Sequence, residues 1–507
     1  MEEPAAPYLD DDAYLRELGV QPKLRRGLNL LEQGFFGIAF QGPTAGSILV
    51  TSAAFAVGGP AFIWAFPICL VFQTVMALQW GELVSQYPIT GGIYQWAKYL
   101  GGEWWGWLTA VFYTACVVII QPILGVIVNV VLNGLFPSIA FSTRNSIIIA
   151  IILTLIAGIV ISSSVRLAGL LNGVGVVLEL VVLFGATVLL LFHTKQPVHV
   201  VFSSAGVQGH GSYFVPFIVA LALELTLLTG FESAGFFSEE VRRSRTDGPR
   251  AILLACVGTA VFTGLFAFAM LLATPDIPAG MEAEAAWVPQ TLHAALGTAG
   301  EDTILAAALV ALVSTAIANM GAMTRLIFGM SRDGYLPGAA ALSKVSTRTG
   351  EPFYTVVLCV VLSFIPLLII SKITVVVDAV AGLLLSTYLI TAAASLRRRL
   401  RGWPERRAPF RLGKWGVPLN VIGLIWVAIA LTVTAWPRDI TNPALGPTRV
   451  IWEIGAGLII LAALAWFGRS RQAPAEATRA AAAAGSGSSA GPAAGGGGGS
   501  DLPAAGS

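Results

Sequence analysis

The sequence predicts an all-α polytopic membrane protein of about twelve transmembrane helices, and three observations predict it. Of its 507 residues, 56% are hydrophobic and only 11% are Asp, Glu, Lys or Arg, whereas a water-soluble chain carries roughly a quarter charged residues. That leaves too little polar surface to cover a globule in water. Apolar runs long enough to cross a bilayer, which takes about 20 residues, recur along the chain to about residue 470. The basic residues then fall in alternate connections between these runs, as they do when one set of loops faces the cytoplasm. The net charge of +2 gives no footprint for nucleic acid. A lipid bilayer and a small-molecule solute are the partners expected.

Residues 1–30 form a polar segment of mixed charge, in which Asp10, Asp11 and Asp12 precede Lys23, Arg25 and Arg26. A cleavable signal peptide runs the other way, positive first and apolar after. The first spanning helix is therefore expected to direct its own insertion. The apolar runs occupy 31–57, 61–86, 103–134, 145–162, 167–192, 213–239, 249–273, 302–330, 353–371, 374–396, 415–435 and 449–467. Read as a 5+5 inverted repeat, they give halves at about 31–192 and 213–396, with two further helices in 415–467. With the amino terminus inside, all but five of the 30 Lys and Arg lie on the inner side. The exceptions are Arg144, Lys195, Lys372, Arg438 and Arg449. This split predicts a multi-pass protein of the cell membrane with both termini cytoplasmic.

Short helices outside the bilayer are expected over 92–99 on the inner side and 283–296 on the outer. Trp104, Trp105 and Trp107 open the third run, as an interfacial aromatic belt would. Beyond 470 the chain turns to Ala, Gly and Ser, and 471–507 is expected to be a disordered tail. Its GxSxG match at 487–491 lacks the strand-turn-helix context of a nucleophile elbow and is read as chance.

Cys69, Cys116, Cys256 and Cys359 each sit within an apolar run, without metal-ligand or CxxC spacing, and are read as apolar packing residues. The histidines, His193, His199, His210 and His293, lie in or beside outer segments without HExxH spacing and are expected to be solvated. No histidine falls deep in a span, so an intramembrane enzyme is not expected, and neither is a cofactor or metal.

Chemistry is expected where spanning helices break. Gly and Pro inside a span free backbone groups that lipid cannot satisfy, so such breaks persist only against protein or a water-filled cavity. The first run holds Gln41-Gly42-Pro43-Thr44-Ala45-Gly46-Ser47 at its middle, and the sixth holds Thr229-Gly230-Phe231-Glu232-Ser233-Ala234-Gly235. Each alone also fits close helix packing, since Gly42 and Gly46 have the GxxxG spacing. Interrupted segments at corresponding positions of two halves point instead to a transport site. Half-helix amides there suit a carboxylate, and freed carbonyls suit an ammonium group or cation.

Four separated segments then carry a family resemblance. Gly81-Glu82-Leu83 through Tyr87-Pro88-Ile89-Thr90-Gly91-Gly92-Ile93-Tyr94-Gln95-Trp96 resembles the second-helix signature of amino acid permeases. Gly230 to Ala234, with Ser238-Glu239-Glu240-Val241 and Pro249-Arg250-Ala251-Ile252, resembles their sixth helix and following loop. Ser331 to Pro337 resembles their loop after the eighth helix, and the lead-in from Leu15 to Leu30 is similar to the amino acid/choline transporter branch. Over about 13–470 the chain thus resembles the amino acid–polyamine–organocation superfamily. The resemblance implies the 5+5 fold and secondary active transport of amino acids, choline, amines or related solutes.

Acidic residues within spans are costly, at about 2.5–3.5 kcal/mol near the midplane on insertion scales, so each is a candidate. Glu232 lies in the sixth-run break, where the branch often has an acid. It is read either as meeting a substrate ammonium or a coupled proton, or as a cap on the second half-helix. Phe231 is implied as an aromatic lid, with packing as the alternative. Gln41, Gly42, Thr44, Ala45, Gly46, Ser47, Thr229, Gly230, Phe231, Glu232 and Ser233 form the expected solute site. Glu179, Glu224, Ser314 and Thr315 are the expected ion-coupling residues, for a proton or a sodium ion. The alternatives are an interhelical bond for Glu179, an internal pair for Glu224, and helix-to-helix hydrogen bonds for Ser314 and Thr315. Some proton-coupled relatives carry a lysine near Glu179, and this sequence has none there. Glu82 is expected in a structural ion pair, Asp378 in a structural role near Lys372, and Glu239 and Glu240, facing a loop with Arg242 and Arg243, in an inner-gate or folding ion pair.

The leading functional reading is a permease for an amino acid or related amine-bearing solute, working by alternating access. Choline, ethanolamine, polyamine or 4-aminobutyrate transport is the alternative within the fold. A passive channel or a transporter-like sensor stands behind these.

Overall fold

The computed structural model describes residues 11–207, 209, 211–367, 373–404, 408–435 and 454–466, with 285 and 373–379 described as backbone alone. The expectations for the 471–507 tail, for Lys372, Arg438, Arg449 and His210, and for the Asp378 side chain lie outside the described residues.

A short helix α1 (Asp11–Glu17) precedes the first span. That span is a chain of pieces: α2 (Leu30–Gln41), α3 (Pro43–Gly46), a π-helical turn (Ser47–Thr51) and α4 (Ser52–Gly58). Asn29 and Glu32 start α2 with a reciprocal capping box, which satisfies two of its orphan amides. Gly42 ends α2 at φ 61°, a left-handed conformation that only glycine adopts at no steric cost. Pro43 then opens α3 at the first helical position, where its missing N–H leaves nothing unpaired.

Next come α5 (Ala65–Gln86), entered through a 3-10 turn from Pro60 to Trp64, and α6 (Ile93–Gly101). Then follow α7 (Glu103–Leu135), α8 (Thr143–Ser163) and α9 (Val165–Leu191). The sixth span is broken too: α10 (Phe214–Leu227) gives way to a 3-10 segment from Phe231 to Glu240. After it run α11 (Ser244–Ala273), α12 (Ile277–Glu282), α13 (Trp287–Arg332), α14 (Ala339–Leu342), α15 (Phe353–Phe364), α16 (Ile373–Arg399) and α17 (Gly416–Ala435). A short apolar helix, α18 (Ile454–Trp466), completes the described chain.

Nine of these helical segments are long and apolar enough to cross a membrane among the described residues. The broken first span and the shorter helices at 353–367 and 454–466 bring a helix to every predicted run. The chain is an integral membrane protein. Side chains such as Ile159, Val181, Phe184 and Phe214 stay exposed on the outer faces of the helices, as lipid contact allows. Among the described residues the β pairing is a single isolated bridge, Leu28 to Val241.

One boundary differs from expectation. Within α13 the outer segment and the eighth span are two helices that meet at a kink at Gly297, φ 69° and ψ -179°, as the separate 283–296 and 302–330 segments anticipate. A glycine turned to positive φ lets the chain change direction there at no steric cost. The seventh span starts at Ser244 rather than near 249. Its extra turn is held at the amino-terminal face, where the Arg245 guanidinium stacks 3.7 Å over the Tyr14 ring.

The two breaks sit at the centre of the helices above. α2 packs on α9 and α11, α7 packs on α13 and α16, and α5 packs on α11 and α17. Polar side chains at this depth find protein partners. Asn129 donates to the Ser142 carbonyl and Ser146 Oγ, both at 3.0 Å, Gln121 donates to the Ala316 carbonyl at 3.1 Å, and Asn319 donates to the Val117 carbonyl at 3.0 Å.

Candidate functional site

The first break leaves Gly42 left-handed, and Thr315 of α13 lies against it: a Cβ at Gly42 would sit 3.2 Å from Thr315 Cγ2. The second break turns at Gly230, φ 108°, and its freed groups are met by side chains from other helices. Gln73 of α5 donates Nε2 to the Leu228 carbonyl and to Thr229 Oγ1, both at 3.0 Å. The Gly230 amide donates to the Tyr388 hydroxyl of α16 at 3.2 Å. An unmet amide or carbonyl at this depth costs several kcal/mol, so Gln73 and Tyr388 are part of what permits the break.

Between the breaks is a cavity of about 110 Å³. Gln41, Gly42, Ala45, Gly46, Leu49 and Val50 form one wall, and Thr226, Leu227 and Thr229 form another. Ile120, Ile123, Leu124 and Ile127 of α7, Thr315 of α13, and Val380 and Leu384 of α16 close the rest, with Phe40 below. By chain direction the wall residues run toward the carboxyl ends of α4 and α7 and the amino ends of α10 and α16. The cavity thus extends from the breaks toward the face opposite α6.

Toward the α6 face the space is filled. Phe231 is fully buried and meets Tyr388 edge-on with centroids 6.1 Å apart, while Tyr113 packs on Phe236 at 4.9 Å. A layer of ion pairs lies beyond. Arg325 holds Glu240 and Glu351 at 2.8 and 2.9 Å, Arg332 holds Glu239 at 2.8 Å, and Lys98 holds Asp333 at 2.9 Å. Glu239 and Glu240 therefore pair with α13 rather than with Arg242 and Arg243. The 3-10 segment turns their carboxylates inward, whereas Arg243 is exposed and bonds Asp247 at 3.5 Å. Glu82 pairs with Arg399 as expected of a structural acid.

The predicted site residues divide into three groups. Gln41, Gly42, Ala45, Gly46, Thr229 and Thr315 line the cavity. Thr44, Ser47 and Glu179 line a second, enclosed space of about 20 Å³ between α3, α9, α11 and α13. There Glu179 Oε1 accepts from the Thr44 amide at 2.7 Å, and its buried Oε2 has no hydrogen-bond partner. The remaining residues line neither. Glu224 accepts from Thr51 Oγ1 at 3.4 Å, and Glu232 accepts from the hydroxyls of Tyr113, at 2.9 Å, and Tyr388. Ser314 donates to the Asn172 carbonyl and Oδ1 at 3.1 and 3.0 Å, and Ser233 Oγ is buried without a partner.

A profile of the family described as amino acid permease matches residues 34–463, which takes in both breaks and every wall of the cavity. The chain belongs to the amino acid permease family. The permease is 24% identical over 487 residues to an uncharacterised amino-acid permease of Schizosaccharomyces pombe, covering 91% of this chain and 86% of that one. It is 23% identical over 494 residues to the amino-acid permease BAT1 of Arabidopsis thaliana, covering 90% of this chain and 94% of the relative. A BAT1 homologue of Oryza sativa subsp. japonica is likewise 23% identical, over 496 residues.

Sequence reasoning missed Gln73, Tyr113 and Tyr388, which carry the second break, and the aliphatic wall on α7 and α16. A signal was present for the first three: Gln, Tyr and Tyr in the middle of apolar runs need hydrogen-bond partners at that depth. The aliphatic wall had none, because Ile and Leu facing a cavity read the same as Ile and Leu facing lipid.

Proposed function

We propose that this permease carries an amino acid, or a closely related amine-bearing solute, across the cell membrane by alternating access. One observation carries the reading: the cavity lies against both helix breaks and extends to one side of them, while an aromatic layer and an ion-pair layer fill the other. The inverted halves at about 31–192 and 213–396 would rock about this point. The basic loops would place both termini in the cytoplasm, which would put the cavity on the outer side of the breaks.

Coupling to a proton through Glu179 is part of the proposal. Its free carboxylate oxygen faces an enclosed space about large enough for one water molecule. Its other oxygen holds the first amide after the break, so a change of its charge would be felt where the helix bends. In proteoliposomes with an imposed proton gradient, the purified protein should concentrate a labelled amino acid, and Glu179→Gln should retain exchange while losing pH dependence. Flux that only follows the solute's own gradient would remove secondary active transport. Dependence on sodium, lost on changing Ser314 and Thr315 to Ala, would reassign the ion.

A further inference from the structure

We propose that the cavity selects a solute whose side chain is uncharged and aliphatic, and that it turns away diamines, basic amino acids and dicarboxylates. This rests on the permease reading and narrows it to a substrate class. Glu179, Glu224 and Glu232 are acids beside the two breaks in the structure, and none of them lines the cavity. Each has a carboxylate oxygen bound by protein: the Thr44 amide, the Thr51 hydroxyl, and the hydroxyls of Tyr113 and Tyr388.

No charged side chain lines the cavity among the described residues. A side-chain charge carried into it would leave water at membrane depth without a countercharge. The three threonines in the wall donate their hydroxyls back into their own helices, Thr226 to Ala222, Thr229 to Leu225 and Thr315 to Ala311. Gln41 gives its Nε2 to the Ala255 carbonyl and Thr259, and keeps Oε1 without a partner. Polar capacity is thus confined to acceptors beside the two breaks, where a backbone-like ammonium group would sit. Opposite them, Ile120, Ile123, Leu124, Ile127, Val380 and Leu384 offer methyl groups only. Removing apolar area from water there favours an aliphatic side chain.

The test uses wild-type protein in proteoliposomes, with labelled leucine, lysine, glutamate and putrescine assayed side by side. Leucine uptake should exceed each of the others by about tenfold or more, and excess unlabelled lysine, glutamate or putrescine should not compete. Preference for a charged solute overturns the class while the permease reading stands. Uptake of none of the four overturns both. A pair of variants locates the wall: Ile123→Phe should shift preference from leucine toward alanine by about tenfold, and Ile123→Ala should shift it toward phenylalanine. Unchanged ratios in both would remove α7 from the specificity surface.

Discussion

Single hydrogen bonds at the second break show how a span can be interrupted in lipid. Gln73 meets the Leu228 carbonyl, and Tyr388 meets the Gly230 amide while donating to Glu232. Polar pairs between membrane helices measure about 0.6 kcal/mol on average and about 1.7 at most. Leaving a buried partner unmet costs more, about 1–3 kcal/mol. Gln73→Leu exposes the Leu228 carbonyl in this way and should destabilise by about 1–2 kcal/mol, read as a lower unfolding midpoint in detergent. Tyr388→Phe removes one donor from Glu232 and one acceptor from Gly230. It should slow uptake more than it lowers the midpoint, because it loosens the break rather than the bundle. Equal unfolding and uptake losses in the two variants would make Tyr388 a packing residue.

At the level of the element, close approach explains a glycine in each break, Gly46 in the first and Gly230 in the second. A Cβ on Gly46 would lie 1.9 Å from Leu227 Cδ1, so α3 and α10 touch backbone to side chain there. One on Gly230 would meet Phe40 Cδ1 at 2.7 Å, at a φ that side chains rarely adopt. Gly46→Leu and Gly230→Leu should therefore abolish uptake while the protein still reaches the membrane. Gly185→Leu in α9, where nothing lies within 4 Å, should transport normally. Loss in all three would mean that general helix packing, and not the breaks, had been disturbed. Both breaks were legible in the sequence because Gly-Pro and Thr-Gly are chemically unlike their apolar surroundings, and so were the helices, whose length and hydropathy the bilayer dictates. Which acids face the cavity was not legible. Glu179, Glu224 and Glu232 fall in runs where one residue is 100° of helix turn from the next, and no run says which direction is inward. Tyr113, 119 residues before Glu232, could be placed beside it only by the fold.

Across the whole molecule, the polarity of the arrangement lies in what closes the α6 face. Arg325 is almost wholly buried between Glu240 and Glu351, and removing one partner from a buried ion pair costs about 3–5 kcal/mol. Arg325→Met would leave two carboxylates facing each other and should lower the unfolding midpoint sharply. Glu351, in the loop before α15, is the more informative position. Burial pushes its carboxyl up to about 8, against the pull of Arg325 and with Glu240 adding to the rise. Because the folded protein then holds a proton that the unfolded chain has lost, stability falls as pH rises from the ordinary carboxyl value of 4.5 through about 8. Glu351→Gln keeps a neutral partner for Arg325 at every pH and should flatten that decline. Unfolding midpoints measured from about pH 5 to about pH 9 should agree at the acid end and separate at the alkaline end, with the variant higher. If the two curves run parallel, Glu351 does not titrate in this window, and the closed face is held by two charged carboxylates sharing one guanidinium.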